Sequence, residues 1–284
     1  MRRTLPLLAA ALMVAACTSP AASPPAAPAS PPGTMGTAPA LPVMPPGDPI
    51  EVIRVLDGDS LEAVVEGATE EIRLLGINTP ERDECWADRA RQATSDLIAD
   101  GPVTATFQGT DQYGRLLGYL ASGEVFVNAA LVAGGHAMTV TTGHAYLEEF
   151  RTAEAAAIAA SIGMWGPDAC GPGLGTALRI DGVDGNPSGE DDDPDHGESV
   201  LIANHGSAAV DLGGWVLRDE SSAHRYRFPA AAVLAPGATL RVYSACGIHE
   251  YCFGEGETVW SNTGDTALLL DPSGNVVDRV RFGS

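Results

Sequence analysis

The sequence contains no lysine, so all 16 of its basic residues are arginines. They are outnumbered by 37 acidic residues, and the formal net charge at pH 7 is −21. Residues 48–170 carry 7 arginines against 20 acids, and residues 171–284 carry 7 against 17, so neither half is basic. This balance excludes the broad basic surface with which nucleic-acid-binding proteins usually hold phosphates. Any polyanion must then be held by a few arginines and a cation, because the general field repels it.

Long apolar runs are also missing, and no stretch is long enough to span a bilayer. Residues 1–16 join a basic start to a short apolar run, which predicts a secretory signal peptide. The tetrapeptide VAAC, ending at Cys17, is similar to a bacterial lipobox. It predicts lipidation of Cys17 and a membrane anchor outside the cytoplasm. The alternative is a plain secretory peptide followed by an incidental cysteine.

The segment after the signal peptide lacks residues that build a core. Residues 17–47 are almost entirely Ala, Pro and Ser, a composition that favours extended conformations and predicts a disordered linker. About 235 residues follow, which allows one or two folded domains.

Cysteine pairs with zinc-site spacing are absent, and the six histidines are scattered, so no zinc site is predicted. Four cysteines remain after Cys17, and disulfides are the expected state in an exported protein. Sequence permits three pairings. Grouping by domain favours Cys85 with Cys170 and Cys246 with Cys252.

The first half predicts a mixed α and β domain. Residues 50–65 and 71–77 are strand-like around glycine-containing turns, and a hairpin is the simplest arrangement. Residues 82–100 have near-helical apolar spacing and end at Gly101-Pro102, a helix stop. Residues 103–110 and 114–122 are strand-sized runs, and residues 124–135 predict a helix. Residues 146–162 have strong helix propensity. Short strands closing on themselves with helices beside them indicate a small OB-type barrel.

The second half lacks helical segments. Residues 171–198 are rich in Gly, Asp and Pro and predict an exposed connection. Strand-sized runs bounded by turn residues follow to the C terminus, which indicates a β-sandwich. The acidic run Glu190–Asp195 is typical of a solvated loop, with calcium binding as the alternative.

Two polar turns in the first half carry possible chemistry. Asp57-Gly58-Asp59 lies where a strand meets a turn, and Asn78-Thr79 follows a later strand. If these strand ends are neighbours, their oxygens can share a hard divalent cation. The alternative is that Asp-Gly marks only a turn.

Arginines near these turns suit a phosphodiester reaction. Arg73 lies in an apolar strand, where a guanidinium needs a partner. Arg115 follows Tyr113 in the segment DQYGR. Two arginines and a cation would stabilise the charge that builds on phosphoryl oxygens, and Glu81 is the nearest acid to orient or deprotonate water. Simple pairing of each arginine with a carboxylate is the alternative.

These motifs resemble the thermonuclease family, whose founding member is staphylococcal nuclease. The resemblance covers about residues 50–170 and rests on five ordered motifs: DGDS at 57–60, IRLLGINTPE at 72–81, DQYGR at 111–115, VNAALVAGGHA at 127–137 and GMW at 163–165. It implies a five-stranded OB barrel with three helices. It also implies calcium-dependent hydrolysis of DNA and RNA that leaves 3′-phosphate ends.

The resemblance also implies roles for single residues. Asp59 matches a calcium carboxylate and Thr79 a backbone carbonyl ligand. Glu81 matches the water-positioning acid. Arg73 and Arg115 match the two phosphate-binding arginines, and Tyr113 matches an aromatic residue that lines the nucleotide pocket. Asn78 stands where the family has a second calcium aspartate, which predicts weaker calcium binding or use of another divalent ion.

Residues 176–284 resemble the lamin-tail domain through GGWVLRD at 213–219 and GDTALLLD at 264–271. This implies an immunoglobulin-like β-sandwich in which Trp215 fills the core, and a binding or targeting role with no partner indicated. The sequence therefore predicts an exported nuclease with a nuclease domain at 48–170 and a connection plus lamin-tail domain at 171–284. The rival is a non-catalytic nucleic-acid-binding or adhesive surface module. Retention of Glu81 and both arginines favours the enzyme.

Overall fold

The structure is a computed structural model. It describes the following residues: 41–44, 47–99, 101–141, 143–193, 196–221, 223–254 and 256–283. The predicted signal peptide, Cys17 and most of the predicted linker lie outside these residues. No helix within them is both long and apolar enough to cross a bilayer.

The first domain is built from short strands and three α-helices within the described residues. Its strands are β1 (Asp48–Pro49), β2 (Glu51–Val55), β3 (Ser60–Val65), β4 (Ala68–Leu74), β5 (Ile77–Asn78), β6 (Val103–Thr110), β7 (Leu116–Ser122), β8 (Val125–Phe126) and β9 (Met138–Thr139). Its helices are α1 (Ala87–Ala99), α2 (Val127–Ala133) and α3 (Leu147–Ala159), followed by a 3-10 turn at Gly163–Trp165.

The main sheet of this domain closes because β1 and β2, which are consecutive in the chain, pair with its two opposite edges. β2, β3 and β4 pair in antiparallel order, β4 runs parallel to β7, and β7 pairs with β6. β1 pairs with β6, whereas β2 pairs with β3, and only Ile50 separates β1 from β2. One stretch of chain thus joins both sheet edges and makes the five-stranded OB barrel. The core holds Leu61, Ile72, Leu120 and Phe150.

Two details differ from the predicted elements. The predicted hairpin is part of a three-stranded meander, because residues 50–65 are two strands joined by the turn at Asp57–Asp59. The first helix begins at Ala87, not at residue 82. Trp86 has a φ of 76°, outside the right-handed helical region, so the helix cannot extend back through it.

The second domain is the immunoglobulin-like sandwich. Its strands are β10 (Leu178–Asp184), β11 (Ser199–Asn204), β12 (Val210–Asp211), β13 (Val216–Arg218), β14 (Arg225–Arg227), β15 (Val233–Leu234), β16 (Thr239–Ala245), β17 (Cys252–Gly254), β18 (Gly264–Leu270) and β19 (Val276–Gly283). One sheet has the order β10-β11-β16-β17 and the other β14-β13-β18-β19. Trp215 is fully buried between them, as predicted.

The predicted exposed connection at 171–198 is wrong in part. β10 occupies residues 178–184 within it and pairs along its length with β11. Leu178 is fully buried and Ile180 nearly so. The sequence of β10 alternates apolar and polar residues, but the alternation is short and lies inside a segment rich in Gly and Asp.

The two domains share a third apolar cluster. Met138, Met164 and Trp165 of the first domain pack with Leu268 and Leu270 of the second. Beside this cluster, fully buried Glu154 of α3 accepts hydrogen bonds from Arg279 (3.0 Å) and Arg281 (2.8 Å) of β19. The domains therefore meet over a packed surface that includes buried charge pairs.

Both predicted disulfides are present, and the other two pairings are excluded. Cys85 is bonded to Cys170 and Cys246 to Cys252. The first bond ties the segment before α1 to the end of the first domain, 85 positions away.

Candidate active site

The turn Asp57–Asp59 joins β2 to β3 and places Asp59 inside the protein. Asp59 is only 7 % exposed, and one of its carboxylate oxygens accepts the backbone N–H of Thr79 at 2.6 Å. Helix α1 holds the turn through the Thr94 hydroxyl, which donates to the Gly58 carbonyl. A side chain at Gly58 would lie 2.7 Å from Thr79 and 2.8 Å from Ala90, so this approach requires glycine.

Arg73 connects the two strand ends that the sequence singles out. It lies on β4 directly opposite Ser60 of β3. Its guanidinium Nη1 is 3.1 Å from the Asp59 carboxylate, and Nη2 donates to Asn78 Oδ1. Nη1 also donates to the Leu74 carbonyl at 3.0 Å. Asp59 and Asn78 thus lie within reach of a single guanidinium group.

Carboxylates crowd this end of the barrel. Burial raises the pKa of Asp59 to about 6, Arg73 opposes this rise, and Asp57 adds to it. Partial burial likewise raises the pKa of Glu81, again with Asp57 adding to the shift and Arg73 opposing it. Asp57, Asp59 and Glu81 therefore form a region of negative charge that Arg73 only partly compensates.

The segment before β7 forms the other wall of a cleft. Arg115 Nε donates to Asp111 at 2.7 Å, and Arg115 Nη1 is 3.9 Å from Glu71, two residues before Arg73 on the same face of β4. Tyr113 is 76 % exposed, and the Arg115 guanidinium lies 5.6 Å from its ring centre. Asp111 thus orients Arg115 toward the cleft rim.

The cleft has a volume of about 620 Å³ and is open to solvent. Its polar lining includes Arg73, Asn78, Asp111, Tyr113, Arg115 and Ser221. The structure therefore places both predicted phosphate-binding arginines, the predicted aromatic residue and Asn78 around one space. Asp59 contacts Arg73 and the backbone of Thr79, and Glu81 lies just before the turn at residues 82 and 83. Asp59, Thr79 and Glu81 are not among the residues that line the cleft.

Sequence reasoning missed the contribution of the second domain. Ser221 lines the cleft, and the Glu220 carbonyl accepts the Asn78 Nδ2 amide at 2.9 Å. Asp111, which holds Arg115, was not assigned a role either. No local pattern signals the Glu220 contact, because it joins positions 142 apart in the chain.

A divalent ion is compatible with the donor chemistry of the site. Among the described residues no three His, Cys, Asp or Glu side chains are already arranged to hold a metal ion. The donors present are the Asp59 carboxylate, the Asn78 amide oxygen and the Thr79 carbonyl, all hard oxygens of the kind that calcium prefers. The uncompensated charge of Asp57, Asp59 and Glu81 also favours a cation. The donor atoms of these residues therefore suit calcium, although Asn78 Oδ1 accepts a hydrogen bond from Arg73 in this structure.

The described residues of the acidic segment Glu190–Asp195, the alternative calcium site in the sequence, lie at the protein surface. In the described part of Glu190–Asp195, the Asp191 carboxylate accepts a hydrogen bond from Asn262 at 2.8 Å. Glu190 is exposed and the neighbouring acids are at least partly exposed, as in a solvated loop.

The fold and site define a two-domain protein, an OB-fold domain with an arginine and carboxylate cleft followed by an immunoglobulin-like sandwich. Residues 71–167 match the family described as Staphylococcal nuclease homologue, and residues 175–284 match the family described as Lamin Tail Domain. The chain thus contains a staphylococcal nuclease-like domain followed by a lamin tail domain, which confirms both predicted resemblances.

Three relatives resemble part of the chain. Protein ParB of Escherichia coli is 35 % identical over 83 residues, which is 29 % of this chain and 44 % of that protein. The micrococcal nuclease of Shigella flexneri is 41 % identical over 68 residues, covering 24 % and 39 %. An uncharacterized endonuclease of Escherichia coli O157:H7 is 36 % identical over 87 residues, covering 30 % and 57 %. The chain therefore spans 39–57 % of the length of these relatives.

Proposed function

We propose that this protein is a nuclease that hydrolyses phosphodiester bonds of DNA or RNA with the help of a divalent cation. The observation that carries the proposal is that Arg73, Arg115 and Asn78 line one cleft and that Arg73 also contacts the buried Asp59 carboxylate. The nuclease and endonuclease names of two relatives support the same reaction class.

Each side chain has a role that its setting supports. Arg73 and Arg115 bind the scissile phosphate and stabilise the charge that grows on its oxygens. Tyr113, exposed at the rim, supplies a ring surface for the nucleotide. Glu81 orients water toward phosphorus and takes its proton, and its raised pKa brings it nearer to neutral pH, where a general base works best.

The cation would be held by Asp59, Asn78 and the Thr79 carbonyl. When bound, it supplies Lewis-acid stabilisation of phosphoryl oxygens. We propose calcium, as in the family, with another divalent ion accepted because Asn78 lowers the ligand charge. Cleavage is expected to leave 3′-phosphate ends.

The location we propose is extracytoplasmic, with a lipid anchor at Cys17. Two disulfides within the described residues support an oxidising environment. Globomycin treatment of producing cells should leave the signal peptide uncleaved if Cys17 is lipidated.

The proposal is tested by incubating the purified chain with DNA or RNA, with calcium or with chelator. We expect cleavage that chelation abolishes. Glu81→Gln should lower the turnover rate by about 100-fold or more, because it removes the base without changing its shape.

Glu124→Gln is the matched control, since Glu124 is exposed in the β7–β8 turn outside the cleft. It should cleave like the wild type. Binding of nucleic acid without cleavage under any divalent ion would instead support a non-catalytic binding module. The engagement of Asn78 Oδ1 by Arg73 is the observation that favours that second candidate.

A further inference from the structure

One hairpin of the lamin tail domain lies against the residues that carry the proposed chemistry. We call residues 216–221 and 223–227, which include β13 and β14, the docking hairpin. We call residues 78–84 the active-site loop. The two segments contact each other through three polar groups of the loop: Asn78, Asp83 and Glu84.

The first contact explains why residue 78 is an asparagine. Its amide oxygen accepts from Arg73, and its Nδ2 donates to the Glu220 carbonyl at 2.9 Å. An aspartate would accept from Arg73 equally well, but it has no proton for the carbonyl. The amide therefore serves the interdomain contact at the cost of one negative charge in the proposed ion site.

The second contact links Arg218 of the docking hairpin to Glu81 through the side chain of Glu84. Arg218 of β13 is 4 % exposed, and its Nε lies 3.0 Å from the carboxylate of Glu84, itself 12 % exposed in its side chain. The other oxygen of Glu84 accepts the backbone N–H of Glu81 at 2.9 Å. Arg225 adds an ion pair to Asp83 at 2.9 Å and lies 3.5 Å from Glu84. The hairpin thus holds the loop on both sides of Glu81.

The docking hairpin is itself held firmly against the nuclease domain. The Glu220 carboxylate accepts the backbone N–H of Thr141 at 2.8 Å and the hydroxyls of Thr141 and Thr266. Glu220 is only 7 % exposed, so these bonds form away from solvent. The Glu220 carbonyl that meets Asn78 therefore has a fixed position.

These polar contacts are more than a tether between domains. The apolar cluster of Met138, Trp165 and Leu268 already joins the two domains nearby. Burying charged groups such as Arg218 and Glu84 gives little net stability, but removing one partner leaves the other charge buried without compensation. We propose that the lamin tail hairpin is a positioning element of the active site, in which Arg218 and Glu220 set the placement of Asn78 and Glu81. The inference rests on the proposed nuclease function.

The test compares two variants of the full chain that both weaken the lamin tail domain. Arg218→Met removes the buried charge that holds Glu84. Val242→Ala removes a core methyl pair on β16, in the sheet that does not contain the docking hairpin. Amide hydrogen exchange is measured at Thr79 and Glu81, whose N–H groups bond Asp59 and Glu84. Steady-state cleavage of DNA is measured in parallel.

We expect Arg218→Met to speed exchange at Glu81 by at least about tenfold and to lower kcat by about 10- to 100-fold, because a small misplacement of a reacting group is costly. KM should stay within about twofold, since Arg73 and Arg115 are untouched. Val242→Ala should change neither exchange at Thr79 and Glu81 nor kcat. Equal effects of both variants, or unchanged exchange at Glu81 in Arg218→Met, would overturn the inference.

Thr141→Val is the second variant, in case Arg218→Met does not fold. It keeps the shape of residue 141 but removes the hydroxyl donor to Glu220. Exchange at Thr79 and Glu81 should rise by about fivefold, the effect of one lost buried hydrogen bond, and no rise would refute the inference. A wild type that cleaves no nucleic acid refutes the proposed function instead. The exchange data then still decide whether the hairpin holds the loop.

Discussion

Asn78 is the residue at which two demands on the site conflict. The proposed ion needs negative ligands, whereas the Glu220 carbonyl needs a hydrogen-bond donor. An asparagine satisfies the second demand and supplies only a neutral oxygen to the first. Its pairing with Arg73 shows that this oxygen is already directed into the site.

Asn78→Asp should reverse this balance. The added charge should lower the dissociation constant for calcium by about tenfold. The lost donor should lower the free energy of unfolding by about 1 kcal/mol, since the Glu220 carbonyl is left without its partner. Calorimetric calcium titration and urea unfolding measure the two effects.

Gln108→Glu is the control for this variant, because Gln108 is exposed on β6 and is not part of the cleft lining. It adds the same charge to the domain without touching the proposed ligands. If both variants bind calcium with equal affinity, Asn78 is not a ligand position.

Among the secondary-structure elements, α1 depends most on a covalent constraint. The helix begins after Trp86, and the preceding residue Cys85 is bonded to Cys170. The same segment carries the active-site loop, so the disulfide fixes one end of that loop. The bond Cys246–Cys252, in contrast, joins the residue after β16 to the first residue of β17 and so closes a short loop in the lamin tail domain.

The two disulfides should therefore differ in their effect on stability. Closing a loop removes more entropy from the unfolded chain when the loop is longer. Replacing Cys85 and Cys170 by serine, with a separation of 85 residues, should lower the free energy of unfolding by about 4–5 kcal/mol. Replacing Cys246 and Cys252, separated by 6 residues, should cost about 2 kcal/mol. Guanidinium unfolding of both double variants tests the order, and a larger loss for the shorter loop would contradict it.

For the molecule as a whole, the net charge of −21 sets how it meets a polyanion. Among the described residues two arginines, Arg73 and Arg115, line the cleft, and the excess of acidic residues elsewhere repels nucleic acid. Salt then has two opposing effects. Added salt reduces the free energy gained from counterion release, which weakens the arginine–phosphate contacts. It also screens the repulsion between the acidic surface and nucleic acid.

The salt dependence of DNA binding should consequently be shallow. Two phosphate contacts, from Arg73 and Arg115, predict a slope of log K against log salt of about −2, and screening of the acidic surface should bring it closer to zero. The measurement is binding of DNA by Glu81→Gln in calcium, where cleavage is suppressed, at several salt concentrations. A slope of about −5 or steeper would show a basic contact surface that the cleft does not account for.

Much of the nuclease-like domain follows from local sequence. Apolar residues recur at strand and helix spacing, and turns fall at Gly-containing segments, so β6, β7, α2 and α3 lie close to their predicted positions. Arg73 stands out in the sequence because it interrupts an apolar strand, whereas Asp59, Asn78 and Arg115 stand out because they lie at strand ends or turns within motifs that resemble the thermonuclease family. β10 was missed because its alternation is brief and its surroundings are typical of a loop.

Sequence patterns predict which residues carry the proposed chemistry, because polar groups at strand ends are visible within a few positions. They did not show that the lamin tail domain reaches the cleft. Asn78 and Glu220 are brought together by the packing of two separately folded cores, and Arg218 meets Glu84 in the same way. Such contacts depend on how complementary surfaces dock, a property of the assembled molecule that no short run of residues encodes.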